Sequence, residues 1–247
     1  MQGAAAFALG TLDAAAERFG TALEMARTDG DALLTARAIN NLGAIDALRG
    51  HTSGAIAAYQ LAIPAYHRMG HTLGLAESWH NLAISYRVSD ELDAADEAER
   101  RAIEFATESA NPRLAAMAQV GRAEISLRRG DYAFARANAS RAATTFSEVP
   151  DYLLQADALR VHADASDLMR FLSAADASLT LAYELARTHE HRLQEAQILQ
   201  THAQIMSRRD DRTAARKLGA EALDAFRHLG SVAAAEEVAA FLSGLDP

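Results

Sequence analysis

The sequence predicts an all-α protein: a right-handed superhelical solenoid of about six antiparallel helix pairs, closed by a C-terminal capping helix. Three observations predict it. Alanines coincide when the chain is shifted against itself by forty residues. Glycines and prolines punctuate the resulting segments at matching places. Between those marks apolar residues recur at three and four, the helical period. The register is unbroken over four columns. Ala15, Ala55, Ala95, Ala135, Ala175 and Ala215 form one; Ala22, Ala62, Ala102, Ala142, Ala182 and Ala222 another; Gly3, Gly43, Ala83, Ala123, Ala163 and Ala203 a third; Ala36, Ala76, Ala116, Ala156 and Ala196 the fourth. One such column could arise by chance in an alanine-rich chain; four in one register do not.

The chain is 50% hydrophobic yet only 6% aromatic, so much of its apolar content is alanine. That composition suits helices packed closely through small side chains. A single solenoid domain over residues 1–247 is expected, with units at about 1–30, 31–70, 71–110, 111–150, 151–190 and 191–230 and the cap at 231–245. In the first unit, Met1 to about Leu9 gives only a short opening helix ahead of Gly10. Leu12, Phe19 and Leu23 are therefore expected to be under-covered, and a homodimer through this N-terminal unit would cover them. Gly50 and Gly130 mark the middle of their units. Gly30, Gly70 and Gly230 mark unit ends, where glycine takes the left-handed conformation after a helix. Pro64 falls within the second helix of its unit, removes the bond to the Gln60 carbonyl and predicts a kink. Asn111-Pro112 reads as a cap followed by the first helical residue, and Pro150-Asp151 as another boundary. From Ser231 to Leu245 one further helix is expected, with Val238, Leu242 and Leu245 inward and Glu236 and Glu237 outward.

The unit Ser78-Trp79-His80-Asn81-Leu82-Ala83-Ile84-Ser85-Tyr86, followed by Ala95 and Ala102, matches the pattern W-x-x-L-G/A-x-x-Y…A…A. Asn41-Leu42-Gly43 with Ala55, Tyr59 and Ala62 matches it again. The chain thus resembles the tetratricopeptide repeat family, and its forty-residue spacing is similar to that of kinesin light chain, the LGN/Pins adaptors and the sensor domains of bacterial regulators. The later units depart from the pattern: the leucine column of Leu42 and Leu82 continues as Arg122, His162 and His202. What the resemblance implies is a protein-binding scaffold whose inner groove, built by the first helix of each unit, takes an extended peptide or a helix of a partner. Helical spacing puts Arg37, Asn40 and Asn41 on that face in one unit, and Glu77, His80, Asn81, Ile84 and Arg87 in the next. Asn41 and Asn81 occupy equivalent positions, and an amide can both donate to and accept from a peptide backbone. The two alternatives are a ligand-sensing module of a larger bacterial transcriptional or signalling regulator, and a self-assembly module.

Other functions find little support. The net charge of −9 opposes binding that depends on phosphates, so no nucleic-acid partner is expected. No run of about 18 apolar residues exists, and no membrane partner is expected. There are no cysteines, which removes thiolate metal sites and fits a reducing, cytoplasmic location. His67 and His71, or His189 and His191, lack a nearby third ligand, so neither a metal nor another cofactor is expected. No G-x-S-x-G, phosphate-binding glycine loop or H-E-x-x-H occurs, and the chain is expected not to be an enzyme. Asp164 and Asp167, three apart, read as a charged helix face. His162 and His202 share a column and could line a pocket.

Overall fold

A computed structural model describes the backbone of Gln2–Leu245 and the side chains from residue 12 to residue 245. The described chain is α-helical, without strand: α1 (Gln2–Asp29), α2 (Ala32–Leu48), α3 (Thr52–Arg68), α4 (Thr72–Val88), α5 (Leu92–Glu108), α6 (Pro112–Arg129), α7 (Tyr132–Glu148), α8 (Tyr152–Leu168), α9 (Leu172–Thr188), α10 (Arg192–Arg208), α11 (Arg212–Leu229) and α12 (Val232–Ser243). The all-α repeat architecture expected from the sequence is the one found. Gly10 does not interrupt α1, which is one helix through that position. The short opening helix is therefore replaced by a long one, whose first side chains lie outside the described residues.

One junction recurs eleven times. The N–H of residue 31, 51, 71 and so on to 231 donates to the carbonyl five residues back, as in His51 to Asp46 at 2.8 Å and Ser231 to Phe226 at 2.9 Å. The residue before it takes a left-handed backbone at every junction but the one holding Pro150. These are Schellman closures, which satisfy carbonyls that the last helical turn leaves free. Glycine fills five of the left-handed places; Asp90, Ala110, Arg170, Glu190 and Asp210 fill the others. The following residue often caps the next helix. Asp31, His71, Asp131, Asp151 and Asp211 each accept from the amide three residues on. Asn111 does the same for Leu114 at 3.0 Å, ahead of Pro112, as the sequence predicts. α3 is helical on both sides of Pro64, whose side is exposed.

The helices gather in two compact units, residues 1–125 and 126–247. In the first, each helix from α1 to α5 packs on the next, and α2 also touches α4. Its core joins Ala36, Ala62, Tyr66 and Leu75, with Trp79 bridging to Ala55, Tyr59 and Leu82. In the second, α7 to α12 pack in succession and α8 touches α10. Its core joins Ala156, Leu179, Ala182, Ile198 and Ile205, and then Ala222, Phe226 and Val238.

The alanine columns lie where the helices meet. From Ala36 onward every member of the four columns, Gly43 included, is buried. At Gly43 an added Cβ would stand 2.9 Å from the Ala58 Cβ, which is why glycine rather than alanine holds that place in its column. α12 caps the second unit as expected: Val238 and Leu245 are buried, Leu242 is half-buried, and Glu236 and Glu237 are exposed. Leu242 presses so closely on α11 that a Cβ on Gly219 would come within 2.8 Å of its Cδ2.

Candidate binding face of the first unit

The residues singled out on α2 and α4 divide into two groups. Asn40 and His80 turn inward. Asn40 is buried and its Oδ1 accepts from the Ser78 hydroxyl at 2.9 Å, tying α2 to α4. His80 is buried against Glu99 of α5, with Nδ1 and Oε2 2.9 Å apart. Burial pushes the Glu99 carboxyl upward, opposed by the charge and hydrogen bond of His80. The space for that carboxylate comes from Gly121 on α6, where a Cβ would fall 2.0 Å from Glu99 Oε1. Polar groups buried this way need partners, and these two pairs supply them.

Asn41 and Asn81 behave differently. Both are half-buried, and among the described residues neither amide side chain has a hydrogen-bond partner. Arg37 and Glu77 are exposed, and both act electrostatically on the Tyr66 phenol, which burial first and Glu77 second push up to about 12 while Arg37 opposes. Ile84 is half-buried, and Arg87 is ion-paired with Glu124 of α6. Next to that pair, Arg122 Nε donates to Asp96 Oδ1 at 2.8 Å. The first unit thus carries two equivalent open amides beside an apolar side chain, flanked by charges of both signs.

In the second unit the positions equivalent to Asn41 and Asn81 hold Val161 and Thr201, both buried. Its charges form a network instead. Asp167, 4% exposed, accepts from Arg208 Nε at 3.0 Å and from Arg209 Nε at 2.7 Å, and Asp164 receives a further bond from Arg208. Asp157 accepts from Arg160 Nε and from Gln194 Nε2. Asp164 and Asp167 are therefore cross-helix anchors for arginines rather than a free charged face. His162 is bonded to Ser178 at 2.8 Å, and burial holds both His162 and His202 below the usual imidazole range. His202 lines a cleft of about 740 Å³ between α9 and α11.

One of these buried features left a mark in the repeat pattern. The column of Tyr59, Ala139, Leu179 and Gly219 carries an acid at Glu99 alone, within reach of His80. The Asp167 anchor had no such signal, because its arginines lie 41 and 42 residues away.

The other histidine pairs have structural work. His71 Nδ1 caps α4, and His189 stacks on Tyr152 at 4.1 Å. Among the described residues no group of three or more His, Cys, Asp or Glu could hold a metal ion. No described helix is long and apolar enough to cross a membrane.

No family profile and no curated protein sequence matches the chain. Solved structures do. A Rap protein complexed with Competence and Sporulation Factor superimposes with a TM-score of 0.70 at 14% identity, over 99% of this chain and 72% of that one. The apo form of RapI gives 0.72 at 13% identity, over 99% and 94%. A signal-transduction ATPase with numerous domains and a tetratricopeptide repeat sensor, from Pyrococcus horikoshii, gives 0.66 at 16% identity, over 85% of this chain and 32% of that one. At these identities the likeness is one of fold.

Proposed function

We propose that this chain, whose fold is that of the tetratricopeptide repeats, is a binding scaffold that holds an extended segment of a partner protein on the face of α2 and α4. The observation that carries the reading is the contrast between neighbours. Asn40 and His80 are satisfied inside the protein, whereas Asn41 and Asn81, one residue along, are not. A half-buried amide without a partner can be matched by a peptide backbone, which offers a donor and an acceptor per residue.

Spacing supports the same reading. Packed helices lie about 8–10 Å apart and an extended chain rises about 3.3 Å per residue. One asparagine per unit then meets about every third backbone group. Ile84 offers apolar contact, Arg37 favours an acidic side chain, and Glu77 opposes one beside it. Each backbone bond contributes about 0.5–1.5 kcal/mol net, so micromolar affinity needs several together with apolar anchors.

The test is a displayed library of extended peptides selected against the intact chain. Selected peptides are expected to lose at least about tenfold in affinity with Asn41→Ala/Asn81→Ala, at an unchanged melting temperature. A double variant that melts early, or that binds as the parent does, would overturn the assignment.

A second reading is a ligand-sensing module of a larger regulator. It draws support from the likeness to a Rap protein complexed with Competence and Sporulation Factor and to the repeat sensor of a signalling ATPase. Saturable binding of a small signalling molecule, with no peptide selected, would favour it.

A further inference from the structure

The cleft on the second unit is separate from the α2–α4 face. Its walls are α9 and α11 and its floor is α10. At about 740 Å³ it falls within the range of small-molecule sites, about 300–1,000 Å³. The floor is apolar: Ile198 is a buried member of the core and Met206 extends it along α10, while Leu179 of α9, also buried, and Leu218 of α11 carry the apolar surface onto the walls. Arg209 Nη1 donates to Asp176 Oδ1 at 2.7 Å while its Nε donates to Asp167, so one cation is shared by two carboxylates.

The rest of the rim carries two acids and Arg187. Glu184 of α9 and Glu221 of α11 line opposite walls, and neither has an ion-pair partner among the described residues. Tyr183 lies beside them, hydrogen-bonded through its hydroxyl to Glu195 at 3.1 Å. Its ring already draws a cation: the Arg187 guanidinium sits 5.8 Å from its centroid. Two unpaired carboxylates and an aromatic face therefore stand above an apolar floor, with Arg187 the one cation among the lining residues that no carboxylate neutralises.

We infer that the cleft between α9 and α11 is a ligand site for a small amphipathic organic cation, its ammonium between Glu184 and Glu221 and its apolar body on the floor of α10. An anion of the same shape would face two like charges. A neutral analogue would keep the apolar contact and lose the charge pairing.

The probes are n-octylammonium, 1-octanol and octanoate, titrated into the intact chain and followed by calorimetry and by amide chemical shifts. Saturable binding of octylammonium is expected, at least about tenfold tighter than octanol and tighter still than octanoate. Shifts are expected to be confined to α9, α10 and α11. Glu184→Gln/Glu221→Gln should bring octylammonium down to the octanol level and leave octanol unchanged. Thr180→Trp, at an exposed position on the cleft wall, should weaken every probe by filling the space. Both variants change exposed side chains, and a melting curve checks that they fold. Equal affinity for the three probes, retained octylammonium preference in the glutamine variant, shifts centred elsewhere, or no saturable binding would each overturn the inference.

Discussion

Gly121 and Gly20 are interior helical glycines with opposite reasons to be there. At Gly121 the missing Cβ is the room that Glu99 needs to reach His80. At Gly20 nothing lies within 4 Å of where a Cβ would go. Gly121→Ala should therefore lower stability by about 1–3 kcal/mol through overpacking, whereas Gly20→Ala should raise it by about 0.8–1 kcal/mol, the helix-propensity difference. Thermal melts of the two variants read the opposite signs directly. Much of the candidate site was legible at this scale only as a set of positions. Helical spacing put Asn40, Asn41, His80 and Asn81 on one side of their helices. It could not say that Asn40 and His80 would be consumed inside, because their partners, Ser78 and Glu99, come from other turns and helices. The cleft between α9 and α11 was less visible still: it needs three helices at once, and its only trace in the sequence was His202 in a column that leucine opens.

At the scale of the element, the helix ends set the pattern. Five of the left-handed closing positions carry a side chain, and that conformation costs an L-residue about 1–2 kcal/mol relative to the right-handed one. Ala110→Gly should relieve part of this and raise the melting temperature, while Gly50→Ala should lower it; equal and small shifts in both would show that the closure geometry bears no strain. The helix interiors give a second prediction. Ala95 and Ala102 are fully buried where α5 meets its neighbours, whereas Ala94 is half-buried. Ala95→Leu and Ala102→Leu should each cost about 1–3 kcal/mol, well beyond Ala94→Leu, as read from denaturant midpoints. The buried columns were legible because alanine is needed wherever two helices approach closely. The continuity of α1 through Gly10 was not, since an isolated glycine costs a helix too little to end it. Gly50 and Gly130, by contrast, do end their helices, and what separates them from Gly10 is the closure and capping partners around them.

For the whole molecule, the pH dependence follows from buried tyrosines and histidines. Burial pushes the Tyr59 and Tyr66 phenols up to about 12 from an ordinary 10.0. The unfolded chain then loses its phenolic protons first, so the stabilisation is fully present below pH 10 and is lost as pH rises towards 12. Tyr59→Phe should flatten that alkaline limb, as followed by melting temperature against pH. His162 and His202 act on the other side. Their pKa values are lowered in the fold, so the stability they contribute is present above the unfolded imidazole value of 6.5 and declines as pH falls below it. A stability plateau between these limits is expected, and a profile that still rises beyond pH 10 would refute the role of the phenols.

The eleven closures also bear on how the chain is made. Within each unit, α1 to α5 and α7 to α12 find their packing partners among the next one or two helices along the chain. Among the described residues no strand waits for a distant mate, and loop-closure entropy stays small between helices paired in this way. As the polypeptide leaves the ribosome, α2 and α3 can dock before α6 has been translated, and the two units can form in turn. Arrest peptides placed after successive closures would register pulling force at intervals of one helix pair, a staircase in which each tread seats the next alanine of every column.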